Sequence, residues 1–128
     1  MISDDNTDVD AHTKPSSTGA NPDIPGFSDK NLEKHFGSNL ESDHSQQYTG
    51  FTKEQYAQRA VELARSPVGN GIEGYKSARG KFAGSIVRYD SSTNDWVRAY
   101  IASGVATMFK PDEGAEYFEF VAKMEMED

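Results

Sequence analysis

Apolar positions are nearly absent from residues 1–26, recur at helical spacing between residues 27 and 66, and alternate with a period of two from about Ile72 to Pro111. Each regime predicts its own structure. The stretch "SDDNTDVDAHTKPSSTGANPDIPG" is rich in Asp, Asn, Ser, Thr, Pro and Gly. It holds too little large apolar surface to offset the entropy of ordering it, so residues 1–26 are expected to be a disordered acidic linker or tail, with the folded domain spanning 27–128. In "DKNLEKHF", capped by Ser28 or Asp29, Leu32 and Phe36 stand four apart on one helical face. "GSNLESDHSQQYTG" reads as a loop. Thr52-Lys53-Glu54-Gln55 then fits a capping box. Tyr56, Ala60, Leu63 and Ala64 follow as one stripe, with Ala57 and Val61 beside it. The helix stops before Pro67, and Gly69 and Gly71 reinforce the stop.

The second half reads as strands. "GSIVRYD", a polar turn "DSSTND", "DWVRAYI", a small turn "ASG" and "VATMFK" form an antiparallel meander. Alternation puts Trp96, Arg98 and Tyr100 on one face and Val97, Ala99 and Ile101 on the other; Thr107 and Phe109 share a face across Met108. Pro111-Asp112-Glu113 opens a last helix whose expected apolar stripe is Tyr117, Phe120, Val121 and Met124. Acids suit its first turn but not its last, so Glu125, Glu127 and Asp128 are expected to fray. The expected fold is α+β: N-terminal helices packed on a twisted antiparallel sheet of about four strands, with a C-terminal helix.

A length of 128 residues suits one compact domain. No apolar run approaches 18 residues, so no membrane-spanning segment is expected. Met1 to Asp10 is acidic and lacks an apolar core, unlike a secretory signal. Cysteine is absent, which excludes disulfides, thiolate metal sites and a cysteine nucleophile. The net charge of −8 is unevenly spread. Residues 1–30 hold six acids against two lysines (−4), residues 31–110 ten bases against eight acids (+2), and residues 111–128 seven acids against Lys123 (−6). The acidity is therefore flanking, and the slightly basic middle tolerates a polyanion ligand.

The histidines are His12, His35 and His44, and no metal-binding spacing, phosphate loop, dinucleotide fingerprint or nucleophile elbow accompanies them. No metal and no cofactor is expected. What remains suits metal-free RNA cleavage, in which the 2'-OH attacks the adjacent phosphorus. That reaction needs a base, an acid for the leaving oxygen, and cations or hydrogen-bond donors around the phosphorane. His35, directly after Lys34 and offset from the Leu32/Phe36 pair, is the leading base or acid; otherwise it is an ordinary half-exposed helix histidine. Lys34 is either a charge stabiliser or simply solvated, and His44 in the loop is equally open. Arg79 and Lys81, among small residues in "SARGKFAG", either approach a phosphate or line a solvated strand edge. Thr107 and Phe109 either hold a phosphate and stack on a base or fill the core, and Lys110 is a strand-end cation. Tyr89 joins them as a substrate-side aromatic.

"NLEKHF", "YTGFTKEQYAQRAVELARSP", "GSIVRYDSSTNDWVRAYIASGVATMFKP" and "DEGAEYF" resemble, in order over residues 31–118, the C-terminal toxin domains of bacterial polymorphic toxins. These include contact-dependent growth inhibition (CdiA-type) toxins and colicin D-like nucleases, grouped with barnase, EndoU and RelE. The resemblance implies a metal-independent ribonuclease that cleaves tRNA or another RNA in competing bacteria. It also implies a cognate immunity protein, with a host carrier protein as a further possible partner. Such a domain is the tip of a larger exported toxin and acts in the target-cell cytoplasm. By this resemblance the family's site roles fall on His35, Lys34, Thr107 and Phe109. Together with the reading of the residues, the expected catalytic set is His35, Lys34, Thr107 and Lys110, with Arg79, Lys81, Phe109, Tyr89 and His44 binding substrate. One geometric requirement follows: His35 and Thr107 must reach a single phosphate. The competing reading is a non-enzymatic acidic immunity or antitoxin-type module that sequesters a basic nuclease, favoured by the charge of −8 and the acidic C-terminal helix.

Overall fold

The computed structural model of the chain describes residues 16–36 and 45–126. In chain order its elements are helix α1 (Asp29–Phe36), a 3-10 turn (Ser45–Tyr48), α2 (Lys53–Arg65), strands β1 (Ile72–Lys76), β2 (Ile86–Asp90), β3 (Asp95–Tyr100) and β4 (Gly104–Phe109), and α3 (Ala115–Met126). The strands form one antiparallel meander in the order β1-β2-β3-β4. The α+β class and the C-terminal helix are as the sequence predicts. So is the start of α2: Thr52 accepts from the Gln55 amide while the Gln55 side chain accepts from the Thr52 amide, which closes the capping box.

Alternation along the strands divides the core between two layers. On one side of the sheet Val97, Ala99, Val105 and Met108 pack against Tyr48, Tyr56, Ala60, Leu63 and Ala64, with Leu32 and Phe36 of α1 at the margin. On the other side Tyr75, Val87, Tyr89 and Trp96 pack against Phe118 and Val121 of α3, with Phe109 and Tyr117 at the margin. The β3–β4 register slips between Arg98 and Ala99: Arg98 faces Thr107 but Ala99 faces Val105, leaving Ala106 as the extra residue of a bulge.

Two expectations fail. Residues 16–26 are not a separate tail. Ile24 is fully buried in the α2-side core and Asn21 is buried beside it. The cause is Arg88. Its guanidinium is wholly buried with no carboxylate near, so its donors collect backbone carbonyls instead: Ser16, Ser17, Gly19, Ser66 and Val87. Burial lowers its pKa to about 10, so the charge persists at neutral pH and needs those acceptors. Gly74, opposite Arg88 in the register, leaves room for it; a side chain there would run into the guanidinium. At the other edge, Val105 donates to the Pro25 carbonyl, and a Cβ on Gly104 would strike the Gly26 and Pro25 carbonyls. The folded unit therefore reaches back at least to Ser16.

The second failure is the face of α3. Its buried residues are Phe118, Val121 and Glu125, whereas Phe120 and Met124 of the expected apolar stripe are exposed. Glu125 sets the helix rotation. Instead of fraying, it binds Arg98 through both carboxylate oxygens (2.8 and 3.1 Å) and accepts from the Tyr75 hydroxyl at 3.0 Å; Glu127 and Asp128 lie outside the described residues. An arginine on the inner face of the sheet thus selects a carboxylate over a phenylalanine.

Candidate functional site

The residues chosen from sequence are scattered, and three places matter most. The first is a charge cluster beyond the C-terminal end of β4. Asp95, almost wholly buried, accepts four hydrogen bonds: Tyr48 Oη at 2.7 Å, Lys110 Nζ at 2.9 Å, Thr93 Oγ1 at 2.7 Å and Arg59 Nε at 3.0 Å. Arg59 Nη2 also donates to Asp90 at 2.7 Å. Lys110 Nζ donates to the Thr93 carbonyl at 2.8 Å and lies 4.7 Å over the Tyr48 ring. The Gln47 side chain fixes both backbone groups of Lys110. Burial by itself would raise the pKa of Asp95; hydrogen bonds from Tyr48, Lys110, Thr93 and Arg59 together overcome it and hold the carboxyl below its ordinary value. Burial, then the Asp95 carboxylate, pushes the Tyr48 phenol well up. Two carboxylates thus neutralise two cations. Lys110, expected to act on substrate, is committed to binding the β2–β3 hairpin to the 3-10 turn and β4.

The second place is the α3 side of the sheet. Tyr89 is buried there, stacked on Phe118 with its hydroxyl on Asn94, and is core rather than a substrate contact. Phe109 packs against Trp96 and Tyr117. Thr107, one residue before the α2-side Met108 and opposite Arg98, turns toward this same layer. His35 lies in the opposite layer, its ring 6.0 Å from that of Phe27, which stacks on Tyr56. The sheet stands between His35 and Thr107, so the required convergence on one phosphate does not occur. Arg79 and Lys81 are exposed in the β1–β2 connection. The Phe82 ring of that connection lies 4.2 Å from the Arg98 guanidinium and Lys81 Nζ lies 5.3 Å from the Phe82 ring, so the connection reaches over the α3 side and away from His35. His44 lies outside the described residues.

The third place is a groove between α1 and the start of β4. It is lined by Ser28, Lys30, Asn31, Lys34, Tyr100, Ser103 and the 104–106 backbone strip, with no carboxylate on its wall among the described residues. Ser28 caps α1 by accepting from the Asn31 amide, and the Asn31 side chain donates to the Val105 carbonyl, so the near wall is tied to the strand. Neither Lys30 nor Lys34 has an ion-pair partner among the described residues. Of the sequence candidates only Lys34 lines this groove. Lys30, Asn31 and Tyr100 were missed, although the i, i+4 spacing of Lys30 and Lys34 on a short helix places both on one face.

Among the described residues no group of three or more histidines and carboxylates is arranged to hold a metal, and no helix is long and apolar enough to cross a membrane. No protein-family model matches the chain, and no curated protein matches it.

Proposed function

We propose that the chain is a metal-independent endoribonuclease domain of a bacterial competition toxin, with the α1/β4 groove as its RNA-binding wall. The observation that carries this reading is the groove: two lysines with no ion-pair partner among the described residues, hydroxyl and amide donors and an aromatic ring, in a chain whose net charge is −8. Lysines beside neutral donors suit a bridging phosphate and the extra charge of a phosphorane. Tyr100 offers a face on which an unpaired base can stack. His35, the only imidazole among the described residues, does not line the groove but follows Lys34 on α1, and this reading assigns it the 2'-OH proton. Thr107, Phe109, Tyr89 and Lys110 have no part in this site. The wider reading is of a tRNA-directed toxin, delivered as the tip of a larger exported protein, active in the target-cell cytoplasm and neutralised by a cognate immunity protein. It rests on the motif order alone.

Induced expression in a bacterium without an immunity protein tests the proposal. Growth should stop, specific RNA fragments should accumulate, and His35→Ala and Lys34→Ala should each relieve the arrest. Intact total RNA after incubation with purified protein, with and without cell extract, would sink it. Harmless high-level expression together with tight binding to a basic toxin would instead establish the acidic immunity-type module.

A further inference from the structure

The outer flank of α3 carries apolar surface that the fold does not use. Phe120, Met124 and Met126 are 63%, 54% and 52% exposed, the most exposed large hydrophobics among the described residues. They do not lie at random. Glu113, Glu116, Tyr117, Phe120, Val121 and Met124 line one shallow groove along the helix. Their spacings of three and four residues make a continuous ridge, the geometry with which one helix receives another. The rotation imposed by the Arg98–Glu125 pair is what leaves this ridge outside. Methionine and phenylalanine at its centre supply large, adaptable contacts.

Charge narrows the occupant. Glu113 and Glu116 rim the groove, and Glu119 stands on the other flank of Phe120. Lys123 is the one base on α3. A second copy of this face would set the same acids against each other, and a bilayer with anionic headgroups would repel them. We propose that the α3 flank is a docking surface for a basic amphipathic helix of a protein partner, with apolar residues seated between Phe120 and Met124 and lysines or arginines meeting Glu113, Glu116 and Glu119. This surface is separate from the α1/β4 groove, and the proposal does not depend on the ribonuclease reading.

The test uses the full chain, isotope-labelled, and two synthetic helical peptides. Both have leucine at positions i, i+3, i+4 and i+7; one has lysine at the flanking positions and the other glutamate. The lysine peptide should bind saturably and shift the amide signals of residues 113–124. Phe120→Ser with Met124→Ser should weaken binding at least tenfold. Both side chains are exposed, so the fold should persist, and circular dichroism checks this. Independently, Glu116→Lys with Glu119→Lys should abolish binding of the lysine peptide and admit the glutamate peptide. Several results would overturn the proposal. These are no shifts, shifts confined to other elements, equal binding of both peptides, or binding that survives the two variants. Sedimentation of the chain with phosphatidylserine vesicles, or concentration-dependent shifts of residues 113–124 without peptide, would equally replace the partner helix with a membrane or a second copy.

Discussion

Lys110 and Lys34 lie beside opposite ends of the same strand and have opposite fates. Lys110, past the end of β4, sits 2.9 Å from a carboxylate that is 4% exposed. Lys34, beside the start of β4, faces a groove with no carboxylate among the described residues. A cation is available to a ligand only where the fold has not already neutralised it, and local sequence does not reveal which lysine that is. "TMFKP" places Lys110 next to an aromatic and a hydroxyl, as a phosphate site would. Yet its partner is Asp95, fifteen residues earlier and brought alongside by the β3–β4 pairing.

Removing Asp95 should therefore produce the largest effect on stability. Asp95→Ala leaves Arg59, Lys110, Tyr48 and Thr93 without their shared acceptor and two buried or half-buried cations undercompensated. A loss of about 3–5 kcal/mol is expected in urea unfolding. A loss below about 1 kcal/mol would show that the cluster is solvated and Lys110 available. The pH dependence carries the same signature. The Asp95 pKa is lowered in the folded state, so its contribution is fully present above the ordinary value of 3.8 and is lost as pH falls through the lower folded value. The parent chain should show an acid limb of unfolding below pH 3.8 that is diminished in Asp95→Ala.

At the other end of β4 the expectation reverses. Lys30→Ala with Lys34→Ala should lower RNA cleavage by about a hundredfold, the scale of losing charge stabilisation at phosphorus. It should also flatten the salt dependence of RNA binding. Stability should change by no more than about 0.5 kcal/mol, because neither lysine has an ion-pair partner among the described residues. Lys110→Ala should do the converse, costing about 1.5 kcal/mol as Asp95 loses one charged donor and leaving cleavage intact in the folded fraction. If Lys110→Ala abolishes cleavage at unchanged stability, the contrast between the two lysines is wrong.

The parts of the fold governed by neighbours in sequence were legible. The Thr52 capping box, the Tyr56–Ala64 stripe and the meander depend on contacts within a turn or across a short hairpin. What was not legible depends on long-range polar partners. Ser16 to Pro25 looks like linker because Ile24 is its only large apolar residue, but Arg88, about seventy residues later, needs its carbonyls. The rotation of α3 was misread because Glu125 looks like a frayed end until Arg98 is placed beneath it. The site was misread for a related reason. The "RYD…TN…TxFKP" residues are conspicuous because they interlock: Asn94, at φ 62°, accepts from Tyr89 and donates to Pro111, while Asp90 and Thr93 hold Arg59. Order and spacing of this kind report a structural lock as readily as a catalytic wall. Alternation places Tyr100 on a strand face and says no more, because only the Ser28–Lys34 segment across the groove gives it a role.

The smallest effect belongs to Thr107, and it decides between the two sides of β4. Its hydroxyl is half-buried on the α3 side, opposite Arg98, and it does not line the α1/β4 groove. Thr107→Ala should shift stability by no more than about 0.5 kcal/mol, the ordinary size for a substitution outside the core. RNA cleavage and the salt dependence of binding should match the parent chain. A tenfold or greater drop in cleavage at unchanged stability would put the reacting phosphate on the Trp96–Phe109 side, where Arg98 is the nearest cation and is already bound to Glu125. The groove lysines would then be bystanders. Because each side predicts a different response from one threonine, a single kinetic comparison separates them.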